Sequence, residues 1–158
     1  MSELQSQCDL PINLLDEEKV IRVIKTPYYF HSTRKNELVP KAFFPPPGKS
    51  DVSVVRHILG DDACVKQSRS TAKAEEYAGM LVVKSGTVRI LGSTVYDHRH
   101  DYCGHAHINH GIVMPTKGGT LNPQDREILN ARCKAIIALC KFHPDSHNAG
   151  EEWMGGPL

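Results

Sequence analysis

Aromatic side chains are scarce in this 158-residue chain (one tryptophan, five tyrosines, four phenylalanines), and charge of either sign is not in excess: 19 Lys and Arg stand against 18 Asp and Glu. The balance removes the basic surplus with which nucleic-acid binders neutralise phosphates, so net charge does not indicate a nucleic-acid partner. No stretch approaches the roughly 18 apolar residues that cross a bilayer, and the first nineteen residues show no basic run followed by an apolar one. Neither a signal peptide nor a membrane span is expected. Self-similarity at a period of about 20–50 residues is missing, which sets solenoids and propellers aside. There is no H-E-x-x-H and no C-x-x-C pair. The five cysteines, Cys8, Cys64, Cys103, Cys133 and Cys140, are odd in number and irregular in spacing, a pattern that points to reduced thiols and a cytoplasmic location.

What is present is a globular composition, 40% hydrophobic and 23% charged, in a length that suits one domain. Residues 1–19 read as a loosely ordered lead-in, residues 20–148 as a single domain, and residues 149–158, with Gly155-Gly156-Pro157, as an exposed flexible tail. Apolar alternation predicts strands over 20–31, bent at Pro27, and over 51–58. Pro45-Pro46-Pro47-Gly48 can neither donate to a ladder nor continue a helix, so it forms a stiff loop above Phe43 and Phe44. Residues 61–78 have helical composition. Residues 79–83 and 87–91 flank Lys84-Ser85-Gly86 and read as a strand pair, which 94–96 and 105–114 extend. Asn122 as N-cap, Pro123 at the first helical position and Asp125 in the first turn open a helix over 122–142, with Leu129, Cys133, Ile136 and Cys140 on its buried face. The expected fold class is α+β: a mostly antiparallel central sheet with two helices packed on one of its faces.

The chemistry concentrates between Asp97 and His110, where fourteen residues hold five of the nine histidines, one thiol and two carboxylates. In an extended backbone His98 and His100 share a face, as do His105 and His107. Paired imidazoles with a third ligand satisfy a divalent metal such as zinc; Cys103, His110 or a remote carboxylate can supply that ligand. Alternatively, His105 or His107 acts alone as general acid or base, with Arg99, Tyr102 and Cys103 giving orientation or charge. The plainest alternative is a solvated loop decorated with histidines. Cys140 and His143 with His147 have finger-like spacing, but core packing is the expected role of Cys133 and Cys140.

A second candidate is Phe30-His31-Ser32-Thr33-Arg34, where hydroxyls and a guanidinium can hold a phosphate or ribose. Together with Asp51-Val52-Ser53-Val54 it resembles the opening of ADP-ribosyltransferase-type folds, which implies a nucleotide substrate. The chain departs from that pattern in offering no clear counterpart of the family's catalytic glutamate, since Glu75, Glu76, Glu151 and Glu152 fall in a predicted helix and in the tail. The order of residues 42–47, 51–56, 79–92 and 104–108 is similar to that of small uncharacterised bacterial single-domain proteins. The expected function is a small enzyme with His105, His107, His31 and Arg34 as catalytic groups across a cleft. It would act by hydrolysis or group transfer on a phosphate- or nucleotide-containing substrate, with zinc as the metal that His98, His100, Cys103, His105 and His107 would hold. The alternative is a non-catalytic interaction protein, an accessory or immunity partner of another bacterial protein, docking through the proline loop and Trp153.

Overall fold

A computed structural model describes residues 8–146 and 151–158. Six strands form one antiparallel sheet: β1 (Lys19–Lys25), β2 (Asp51–Arg56), β3 (Tyr77–Lys84), β4 (Thr94–Asp97), β5 (His105–Asn109) and β6 (Lys141–Pro144), in the order β4-β5-β2-β1-β3-β6. The central strands are rich in valine and isoleucine, whose branched side chains pack well on a pleated surface. Three helices accompany them: α1 (Asp61–Thr71), α2 (Ser85–Ile90) and α3 (Pro123–Ala138).

Because side chains alternate along a strand, the sheet has two distinct apolar faces. One face gathers Val20, Ile24, Val52, Val54, Leu81, Ala106 and Ile108 under α3, which contributes Leu129, Cys133 and Ile136. The other gathers Ile21, Val55, Met80 and Val82 under α1, which contributes Cys64 and Val65. The two long helices therefore cover opposite faces and not one, because each carries its own apolar stripe and each face of the sheet needs a cover.

Several expected boundaries move. Residues 87–91 form helix α2 and not a strand, because β1 and β6 already occupy both edges of β3 and leave no ladder for a hairpin partner. The helical phase buries Val88 and leaves Ile90 88% exposed. Helix α1 ends at Thr71, since Tyr77 onward joins β3. Helix α3 starts as expected, with Asn122 Oδ1 accepting from Asp125 N at 2.9 Å, but it stops at Ala138 so that residues 141–144 can pair with β3. Tyr28–Phe30 makes only an isolated bridge, Phe30 with Leu38, after a cis Thr26–Pro27 bond. Residues 45–48 form neither strand nor helix, as expected, and of the two phenylalanines before them Phe43 is fully buried and Phe44 half-buried.

The described part of the lead-in, residues 8–18, is held firmly. Arg56, fully buried, pairs in a fork with Glu18 at 2.8 and 2.7 Å, with Asp97 at 2.8 Å, and donates to Pro11 O at 2.6 Å. Arg99 bonds Asp97 and the carbonyls of Cys8 and Leu10. These contacts bring Cys8 to Cys103, with a Cα–Cα distance of 5.3 Å, and the two form a disulfide. The expectation of reduced thiols throughout is corrected by this pair; Cys64, Cys133 and Cys140 are free. At the other end, Leu158 is 4% exposed in the second apolar cluster with Trp153 against it, so the expected exposure of the tail does not extend to these two residues. Residues 1–7 of the lead-in and 147–150, where the domain passes into the tail and where His147 lies, are outside the described residues.

Candidate metal centre

The hairpin of β4 and β5 builds the histidine centre. Tyr96 pairs with His107, and beyond the end of β4 the His98 N–H donates to His105 O at 2.8 Å, so the ladder continues by one rung. Partners across a ladder share a face. Tyr96, His98, His105 and His107 thus project from one side of the sheet, together with Val55 and Ser53, which β2 places opposite His105 and His107. It is the face that α1 covers. The reversal between the strands depends on Gly104, at φ +99°, where a Cβ would lie 2.3 Å from Leu59 Cδ1; only glycine fits both the conformation and the space.

The three imidazoles of His98, His105 and His107 offer nitrogen atoms that all lie within 4.8 Å of one another. His98 and His107 stack with centroids 4.0 Å apart, and His105 stands perpendicular to His107 at 4.8 Å. A tetrahedral zinc ion with bonds of about 2.0–2.1 Å spaces its nitrogens by roughly 3.3–3.4 Å, so a modest contraction of the triad reaches coordination distance. His105 is 5% exposed, His107 12% and His98 33%, which leaves one open side. Asp101 stands on that side, its Oδ2 3.2 Å from His105 Nδ1 and 3.6 Å from His98 Nδ1.

Oxygen acceptors fix the rings. Nδ1 of His105 donates to the backbone carbonyl of His98 at 3.1 Å and lies 3.2 Å from Nδ1 of His98. Nδ1 of His107 faces the Asp51 carboxylate at 3.2 Å and the Tyr96 hydroxyl at 3.3 Å. A carboxylate only accepts, so it favours the proton on Nδ1 and leaves the lone pair of this ring on Nε2. Metal-binding histidines are oriented by such partners. Burial, then the neighbouring His98 and His105, pushes the His107 pKa down to about 4. Burial also lowers that of His105, against the pull of the His98 carbonyl and Asp101. Both rings are therefore neutral at pH 7, the form that coordinates a metal.

The other sequence candidates lie elsewhere. His100 is exposed in the turn, 6.3 Å from His98 between ring centroids, because the chain leaves its extended path after Asp97. Cys103 is committed to its disulfide and has no thiolate to offer. His110 is a satisfied core residue: Nε2 donates to Phe43 O at 2.8 Å, and the Ser93 hydroxyl donates to Nδ1 at 2.7 Å. His31 and Arg34 do not meet His105 and His107 across a cleft. Their loop packs through Tyr29, Phe30 and Leu38 on the α3 side of the sheet. There His31 Nδ1 accepts from the backbone of Thr33 and Arg34, and Arg34 pairs with Glu37. Cys133 and Cys140 pack against the first apolar cluster as expected. Asp51 and Asp101 were not singled out from sequence; Asp51 is 56 residues from His107, and only strand pairing brings them together.

Comparisons of the chain with protein-family models, with curated proteins and with solved structures return no match. Among the described residues no helix is long and apolar enough to cross a membrane.

Proposed function

We propose that the protein is a small metal-dependent enzyme in which His98, His105 and His107 hold a divalent ion, zinc by donor type, and direct an activated water at a substrate entering beside Asp101. The observation that carries this reading is the convergence of three imidazoles with two of the rings oriented through Nδ1 by oxygen acceptors. Three protein nitrogens leave a coordination position open, as catalytic zinc sites do, and a metal in such a site acidifies its bound water. Asp101, more than half exposed, is placed to accept a proton on the open side. Hydrolysis is the reaction class that follows. A phosphate ester or nucleotide remains the proposed substrate, now without help from His31 and Arg34.

A cytoplasmic location would expose the Cys8–Cys103 pair to a reducing thiol pool, whereas an oxidising compartment would keep it closed. The proposal places the active form with the disulfide closed, because Cys103 lies between the ligands His98 and His105.

The test is titration of metal-depleted protein with Zn2+ and with Co2+, followed by assays on phosphomonoesters, phosphodiesters and nucleotides. One equivalent should bind, a tetrahedral cobalt spectrum should appear, and both should vanish in His98→Ala and His107→Ala while folding is retained. Absence of stoichiometric metal at neutral pH would sink the enzyme reading and leave the interaction protein in its place.

A further inference from the structure

A disulfide that closes a long loop stabilises a fold wherever it lies. The place of this one gives it a second consequence. Cys103 stands in the turn that joins His98 to His105 and His107, two residues after Asp101 and directly before Gly104, where no side chain fits. Its neighbour Tyr102 lies against the His105 ring, with centroids 4.8 Å apart. The turn is fastened by His105 N donating to Tyr102 O at 3.1 Å, by Arg56 N donating to Gly104 O at 2.8 Å, and at Cys103 by the sulfur bond to the lead-in. The bond therefore bears on the spacing of the imidazoles as well as on the stability of the sheet.

Two further observations suit a bond that opens and closes. The turn lies at the surface, with His100 and Asp101 exposed and Cys103 half-buried, and Cys8 keeps other holds beside it. Arg99 donates to Cys8 O at 3.2 Å and to Leu10 O at 2.9 Å, and Arg56 donates to Pro11 O at 2.6 Å. Thiols held so near each other re-form their bond readily. In addition, burial pushes the thiols of Cys64, Cys133 and Cys140 up to about 12, so they are not thiolates at neutral pH and do not compete in the exchange.

We infer that the Cys8–Cys103 bond is a redox latch on the histidine centre: closed, it holds His98, His105 and His107 near ligand spacing; opened by a dithiol, it lets the turn relax and the metal leave. In the opening step the S–S bond breaks, the dithiol loses two electrons and two protons to become a disulfide, and Cys8 and Cys103 become thiols. Exchange with the oxidised dithiol reverses it. The latch rests on the metal-binding reading of the three imidazoles and adds a reciprocal requirement to it. Whatever factor closure adds to zinc affinity, zinc must add to the equilibrium constant for closure. Losing a group that orients ligands lowers affinity about 10–100-fold; the arginine holds remain, so the lower end applies, and about tenfold corresponds to about 30 mV in the reduction potential of the pair.

Two measurements test the latch. Competition with a zinc chelator compares the closed protein with Cys8→Ser/Cys103→Ser, and the closed protein should bind zinc about tenfold tighter. On the unaltered chain, dithiothreitol buffers with free zinc held constant by a chelator should show, by alkylation and mass spectrometry, a bond harder to reduce by the same factor when zinc is present. Absence of zinc binding by the closed protein would overturn the metal reading and the latch together. Equal or tighter binding by the open form, or a reduction equilibrium that zinc does not move, would overturn the latch alone. Loss of the cooperative melt in the open form would make the bond a staple of the fold and overturn the latch as well.

Discussion

Asp51 does most of its work through another residue. Its carboxylate faces Nδ1 of His107, and removal of such an orienting partner typically lowers metal affinity by about 10–100-fold without changing the ligand set. Asp51→Asn should therefore bind zinc more weakly by that factor in a competition titration, with the cobalt spectrum keeping its tetrahedral form. His110 supplies a prediction of a different kind. Burial, opposed by the Phe43 carbonyl and reinforced by Arg132, holds its pKa below the ordinary value. Above about pH 6.5 neither the folded nor the unfolded state protonates this ring, and its contribution to stability is complete. As pH falls below that value the unfolded chain takes up a proton that the native ring refuses, and stability drops by as much as about 1.4 kcal/mol per pH unit for this one group. Urea denaturation of the metal-free protein between pH 7 and 5 should show the decline, and His110→Gln should remove one proton from its slope. At this scale the H-x-H spacing made His105 and His107 legible, because period-two alternation is a local property of a strand. Asp51 and Cys8 were not legible, since each reaches the site through pairing between distant segments.

Helix α3 was readable from its cap and its apolar spacing, and those same features set a measurable energy. Ile136 is fully buried against the sheet; Ile136→Ala should cost about 2–5 kcal/mol in chemical denaturation, through lost burial and the cavity left behind. A change within error would place the helix in a different rotational phase. Helix α2 was misread for an instructive reason. Thr87, Val88 and Ile90 favour strands locally, but whether a strand forms depends on a free neighbour to pair with, and β3 has none. The same limit applies at the end of α3, where Cys140 continues the apolar rhythm of a helix but the chain has already turned toward the ladder with β3. Helical periodicity cannot register a sheet edge waiting a few residues on.

Over the whole molecule, the α+β class and the antiparallel sheet followed from short apolar segments without βαβ alternation. That the two long helices lie on opposite faces did not, because nothing local to either helix tells which side of a sheet it will cover. The arrangement has a functional corollary: the face under α1 carries the histidine centre at one side of the sheet, whereas the face under α3 is given to the larger apolar core.

The bond between Cys8 and Cys103 spans 95 positions of sequence and encloses β1 through β4 with α1 and α2. Under mechanical load this is a shield. If the described chain is pulled from its two ends, the enclosed residues cannot lengthen, and only β5, α3 and β6 are free to pay out. At about 3.3–3.6 Å per extended residue the shielded loop hides roughly 310–340 Å of contour length. Single-molecule extension should show a short unfolding step in oxidising buffer and a step longer by that amount once a thiol reductant is added. Equal steps in both buffers would mean that the two cysteines are not joined. With the bond closed, β5 with His105 and His107 lies in the part that tension can extend while His98 lies in the shielded loop, so force would part the three imidazoles at the disulfide.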